Sequence, residues 1–132
     1  MSGKRLAIIL AAIVLALALL RKDGIGWAED GVASWYGGPD FHGQKTASGE
    51  IFDESDPTTA ASTSYPLGTR VHVAARGGER EITVRINDTG VFTRPHLLDL
   101  SKAAFAELAD PDAGVIDVRV EVIEQEGETG DD

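Results

Sequence analysis

The segment Ile82-Thr83-Val84-Arg85-Ile86-Asn87-Asp88-Thr89-Gly90 alternates apolar and polar side chains as far as Ile86 and then breaks into Asn-Asp-Thr-Gly. Strict alternation marks a half-buried strand. Asn, Asp and Gly in succession are turn chemistry. The pattern therefore places Asp88 at the mouth of a strand, held by a rigid element and aimed out of it, where an acid or base is well supported.

Working outward, Arg70 to Ala75 alternates in the same way, with Val71, Val73 and Ala75 on one face. Arg76-Gly77-Gly78-Glu79 joins it to the Ile82 segment as a hairpin turn. Upstream, Val32 to Tyr36 reads as a first strand, Gly37 to Glu50 as a glycine-punctuated loop, and Ala60 to Tyr65 as β-compatible. Downstream, Leu97 and Leu98 form a short apolar stretch, and Ser101 to Ala109 is the one helix. Ser101 or Asp99 caps that helix, Phe105 and Leu108 give it an apolar face, and Pro111 ends it. Ile116 to Ile123 is a last strand, with Ile116, Val118, Val120 and Val122 on one side. Short strands with one helix predict a mainly β domain closed into a small barrel.

The chain has 132 residues, no cysteine and a net charge of −10. Disulfides and thiolate metal sites are thereby excluded. Lys4, Arg5, Arg21 and Lys22 precede every acidic residue, which leaves eight basic against 22 acidic residues from Asp23 onward, a net −14. Such a surface repels the phosphate backbone, so nucleic acid is not the expected partner. Residues 6–20 are wholly apolar behind Lys4 and Arg5, the pattern of an export signal or a membrane anchor. The expected organisation is an N-terminal hydrophobic helix as signal or anchor over 1–22, a linker over 23–30, the barrel over 31–124 and an acidic, disordered tail over 125–132.

The ordered series GVASWYG (31–37), FHG (41–43), TASGE (46–50), YPLGTRVHV (65–73), VRINDTG (84–90), LLDLSKAAF (97–105) and VIDVRVEVI (115–123) resembles the RlpA-like (rare lipoprotein A) family across Gly31 to Glu124. The resemblance implies a six-stranded double-psi β-barrel at the cell envelope with peptidoglycan glycan strands as its substrate. It further implies lytic transglycosylase activity, with Asp88 and Glu50 as the matching carboxylates. The chain departs from the family at Ser62, where a histidine usually stands, and at Thr89, where an arginine usually stands. A peptidoglycan-binding barrel without catalysis is the alternative these departures raise.

Lytic cleavage needs an acid for the leaving oxygen and a base for the muramic C6 hydroxyl, and one carboxyl group can serve both in turn. Asp88 is the candidate for both steps. Its plainer role is to accept backbone amides in its own turn. Glu50 assists, and Ser62 takes the histidine position, offering a hydroxyl to a sugar or a water. Trp35, Tyr36, His42, Asn87 and Arg94 are the candidates for substrate binding. Trp35 and Tyr36 are strand neighbours on opposite faces, so one is expected in the core and the other on a sugar. His96 and Arg94 flank Pro95 and are placed to stand in for the missing partners. The three histidines, His42, His72 and His96, are scattered, so no metal site and no cofactor are expected. The expected form is an exported monomer, with residues 6–20 as a membrane tether.

Overall fold

A computed structural model describes residues 28–90 and 96–124 of the chain. The apolar N-terminal run, Arg94 and the acidic tail lie outside the described residues. Six strands occur in the order β1 (Ala28–Tyr36), β2 (Thr59–Ala61), β3 (Arg70–Ala75), β4 (Glu81–Asp88), β5 (Leu98–Ser101) and β6 (Val115–Glu124). They close into a barrel with the neighbour order β1-β5-β2-β4-β3-β6. β1 runs parallel to β5 and β2 parallel to β4, while the other four pairings are antiparallel. Parallel neighbours require crossover connections. Here β2 reaches β4 by way of β3, and β1 reaches β5 by way of β2, β3 and β4.

The inner face follows from the register. Val71 pairs with Val84 and Val122, Val73 with Ile82 and Val120, Ala60 with Ile86 and Leu100, and Ala33 with Leu98. Directly paired residues share a face, and these residues form one buried cluster with the partly buried Ile82 packed against it. Between β5 and a short 3-10 turn at Pro111–Ala113 lies the helix α1 (Lys102–Leu108). Ser101 caps α1 by accepting from the Ala104 amide at 3.1 Å. Ala104, Phe105 and Leu108 bury the helix's apolar side in the barrel core.

Two elements differ from the sequence reading. Ala28–Asp30, expected as linker, extends β1 and pairs with Arg119–Glu121. Its two acidic residues are held by partners: Asp30 meets Arg76 at 2.9 Å and Arg119 at 3.4 Å, and Glu29 accepts from the Tyr65 hydroxyl at 2.5 Å. Leu98–Ser101, read as an apolar stretch running into the helix cap, is the fifth strand and is buried along its whole length.

Candidate functional site

β4 does not keep its alternation to the end. Thr59 pairs with Arg85 and Ala60 with Ile86, but Ala61 pairs with Asp88, so Asn87 is an inserted residue. Such a bulge re-aims the side chains around it. In a regular strand Asp88 would share the inward face of Val84 and Ile86. The bulge instead sets it on the outer face beside Ala61. Ala61 in turn pairs with Asp99 of β5, and Asp99 with Ser34 of β1. The row Ser34, Asp99, Ala61, Asp88 therefore runs across four adjacent strands on the outside of the barrel.

A cavity of about 250 Å³ opens over this row, lined by Trp35, Tyr36, Gly37, Phe41, Ala61, Asp88, Thr89 and Asp99. It is smaller than the roughly 300–1,000 Å³ that enclose a whole small ligand. Two carboxylates face it.

Asp88 Oδ1 accepts from the Ala47 amide at 3.0 Å and from the Thr89 amide at 2.9 Å. Asp88 Oδ2 faces the Tyr36 hydroxyl at 3.4 Å. One oxygen is thus anchored by backbone and the other lies on the aromatic side. Tyr36 stacks on Phe52 at 4.3 Å between ring centroids and meets Phe41 edge-on at 5.5 Å. Burial first, and then the neighbouring Asp88, push the Tyr36 phenol well above the usual tyrosine range. It therefore remains a proton-bearing donor.

Asp99 is only 6% exposed. Its Oδ1 accepts from Ser34 Oγ at 2.6 Å, and His96 Nδ1 lies 3.0 Å from the same Ser34 oxygen and 3.5 Å from Asp99 Oδ1. The sequence leaves the helix cap to Ser101 or Asp99. The cap is Ser101, and Asp99 belongs to the cavity. The alternation Leu98-Asp99-Leu100-Ser101 was the available signal, too short to stand out against the helix that follows.

Glu50 sits beside the cavity rather than in it. The turn from Thr46 to Glu50 closes through Thr46 N to Glu50 O at 2.7 Å and Gly49 N to Thr46 O at 2.9 Å. Gly49 has φ +95°, a conformation glycine adopts without strain. The turn is fastened to the end of β4 by Ser48 N to Asn87 O at 3.2 Å, by the Ala47 amide on Asp88, and by a fork from Arg85 to the two Glu50 oxygens. Those Arg85 hydrogen bonds lower the Glu50 pKa from its ordinary value, partial burial opposing them and a bond from Asn87 adding to them. Glu50 is a clamp that holds the Ala47 amide against Asp88.

The other sequence candidates resolve as follows. Ser62 does not reach the cavity: its hydroxyl donates to Leu97 O at 2.9 Å and accepts from the Ser64 and Tyr65 amides at 2.9 and 3.2 Å. Its single proton and both lone pairs are used, so the expectation of a hydroxyl aimed at a sugar is corrected to a loop-fastening role. Asn87 is buried at 2% exposure under the Thr46–Glu50 turn, its Nδ2 facing Glu50 at 3.4 Å. His42 accepts from the Glu54 amide at 3.2 Å and is absent from the cavity lining. Trp35 and Tyr36 both line the cavity, and Trp35 also packs against the barrel core. Trp35 Nε1 donates to Pro111 O at 2.9 Å, and Lys102 Nζ lies 5.3 Å from its ring centroid. Phe41, which the sequence reading did not assign, is the cavity's exposed ring at 47%. Among the described residues no cluster of three or more His, Cys, Asp or Glu side chains is arranged to hold a metal.

Comparison with known proteins agrees with this fold. A family model described as "Lytic transglycolase" matches residues 28–120. The endolytic peptidoglycan transglycosylase RlpA of Campylobacter jejuni is 41% identical over 99 residues, covering 75% of this chain and 35% of the relative. The enzyme of the same name from Pasteurella multocida is 44% identical over 103 residues, covering 78% of this chain and 34% of the relative. The chain thus spans about a third of the length of these curated relatives. Among solved structures, the Streptomyces papain inhibitor aligns at a TM-score of 0.60 and 27% identity, over 76% of this chain and 97% of that one. A Clavibacter michiganensis expansin aligns at 0.56 and 22% identity, over 74% of this chain and 51% of that one, which is a likeness of fold.

Proposed function

This chain belongs to the lytic transglycolase family, and on that premise we propose that it cleaves peptidoglycan glycan strands without water, outside the cytoplasm. The bond broken joins N-acetylmuramic acid to N-acetylglucosamine in strands free of peptide. The glycosidic oxygen gains a proton and leaves on the N-acetylglucosamine side. The muramic C6 hydroxyl attacks the anomeric carbon, loses its proton and closes a 1,6-anhydro ring. One proton is delivered and one is taken up, so the carboxyl group ends as it began.

Asp88 is assigned both transfers. The observation that carries this reading is the pair of carboxylates, Asp88 and Asp99, on one cavity whose remaining lining is mostly aromatic or small. Asp99, which receives the Ser34 hydroxyl, faces the positive charge that develops at the anomeric carbon. The Tyr36 phenol orients Asp88 Oδ2, and the exposed Phe41 ring offers a flat face to a sugar. Glu50 acts indirectly, through the Arg85 clamp. Residues 6–20 are assigned as the export signal or tether. The closed barrel leaves no strand edge for pairing, consistent with a monomer.

The test is mass spectrometry of soluble products from amidase-treated sacculi. Wild type yields fragments with anhydro ends, and Asp88→Asn yields none while keeping its fold. The asparagine carbonyl still accepts the Ala47 and Thr89 amides. Anhydro products from Asp88→Asn at the wild-type rate would remove Asp88 from the chemistry. Retention on insoluble peptidoglycan with no products from wild type would leave the chain a binding barrel.

A further inference from the structure

We propose that His96 is a positioning residue for Asp99, acting through Ser34 as a proton-bearing Nδ1 donor. The inference rests on the reading of the cavity as the reacting site. It assigns His96 to the carboxylate of β5, whereas the sequence had set it near the Asp88 loop as a stand-in for missing partners.

The argument is a count of protons. Ser34 has one hydroxyl proton. Its Oγ lies 2.6 Å from Asp99 Oδ1, and a carboxylate has no proton to give, so the serine proton points at Asp99. The same Ser34 oxygen lies 3.0 Å from His96 Nδ1. With the serine proton committed, that contact is a hydrogen bond only if Nδ1 carries a proton. His96 Nδ1 is also 3.5 Å from Asp99 Oδ1, so both oxygens lie close to that nitrogen. The network is enclosed: the side chains of His96 and Asp99 are 21% and 8% exposed, and Ser34 is 5% exposed.

The backbone fixes the same arrangement. Ser34 and Asp99 are directly paired on parallel strands, and the Leu97 amide next to His96 donates to Val32 O at 2.8 Å. His96 is therefore delivered to Ser34 by the strand pairing itself. With one Asp99 oxygen held from two sides, Oδ2 remains, and Gly90 leaves it room: a Cβ on Gly90 would come within 3.3 Å of that atom.

Two readouts test this on the full chain. The first is nitrogen-15 correlation of the imidazole, which reports the tautomer whether or not the protein turns over. Neutral His96 is expected with its proton on Nδ1, and Ser34→Ala is expected to weaken that preference. The second is turnover on denuded glycan. His96→Leu, which has no donor, should lower kcat roughly two- to tenfold, the effect of one neutral hydrogen bond, with KM little changed. His96→Asn, whose Nδ2 sits where Nδ1 does, should recover most of the loss. A wild-type His96 protonated on Nε2 with a bare Nδ1 would overturn the proposal, and so would wild-type kcat in His96→Leu. If wild type forms no anhydro products, the proposed function fails, and the tautomer alone then decides whether His96 holds Asp99.

Discussion

Replacing Ser62 by alanine should destabilise the barrel without touching its chemistry. The residue is 4% exposed. Its hydroxyl makes three hydrogen bonds: to the Leu97 carbonyl at 2.9 Å and from the Ser64 and Tyr65 amides at 2.9 and 3.2 Å. Alanine removes the partner of one carbonyl and two amides in a place water reaches poorly. Leaving buried polar groups unsatisfied costs about 1–3 kcal/mol, and losing a serine that caps successive amides costs about 0.5–2 kcal/mol. A total near 2 kcal/mol is expected, since the exposed Ser64 amide recovers water. For a domain of this size that lowers Tm by roughly 8–16 °C. Calorimetry gives the shift, and anhydro-product formation per folded molecule, measured well below the transition, should equal wild type. Unchanged Tm with lost product formation would refute the reasoning and return the hydroxyl to the reacting site.

The two tyrosines offer a test of burial. Desolvation, with Asp88 beside Tyr36 and Glu29 beside Tyr65, raises both phenols above their ordinary value. Unfolded phenols ionise near 10, so the stabilisation is complete below about pH 10. It is lost as pH rises, at about 1.4 kcal/mol per pH unit for each tyrosine. Tyrosinate absorbance should therefore appear only with unfolding, and a reversible signal near pH 10 in folded protein would contradict the packing. Glu50, lowered by Arg85, is the opposite case: its contribution is present above about pH 4.3 and disappears as pH falls through the lower folded value. Glu50→Gln should speed hydrogen exchange at the Ala47 and Ser48 amides while costing less than about 1 kcal/mol, because the ion pair is half exposed. Equal protection in the variant would mean that the fork does not hold the turn. Gly31→Ala should destabilise by about 1–3 kcal/mol, since its Cβ would lie 2.7 Å from Leu97 Cδ2 and 2.9 Å from Leu97 Cβ. A melt at the wild-type temperature would show that Leu97 can move away.

Much of the barrel was legible because its strands obey a two-residue period. Arg70–Ala75 needed no adjustment, and β4 and β6 were placed within a residue or so of their ends. The period failed where charge replaces apolar pattern. Ala28-Glu29-Asp30 carries no inward apolar residue, and its pairing with Arg119–Glu121 and the Arg76 contact make it strand. It failed again at Leu98–Ser101, where the strand is only four residues long and a helix follows at once. The site was legible to the same degree. Asp88 was recoverable from a strand that ends in turn residues. Asp99 was not, since an Asp two residues before a capping serine reads equally well as the cap.

What joins the two carboxylates is a single inserted residue. Sequence alternation alone would send Asp88 inward with Val84 and Ile86, into a core that is fully packed, where a charge without a partner is costly. Asn87 takes up the offset, and the Thr46–Glu50 turn covers it. That is why the turn must be clamped by Glu50 and Arg85, and why the amide of Ala47 is at hand for Asp88 Oδ1. Once Asp88 faces outward, its neighbour across β2 is Ala61, and beyond that Asp99. A large side chain at 61 would fill the gap between the acids; alanine leaves it open as the floor of the cavity. The bulge, the clamp and the small residue form one device. Each is individually unremarkable in sequence, and together they convert an alternating strand into a site with two acids on one side of a barrel.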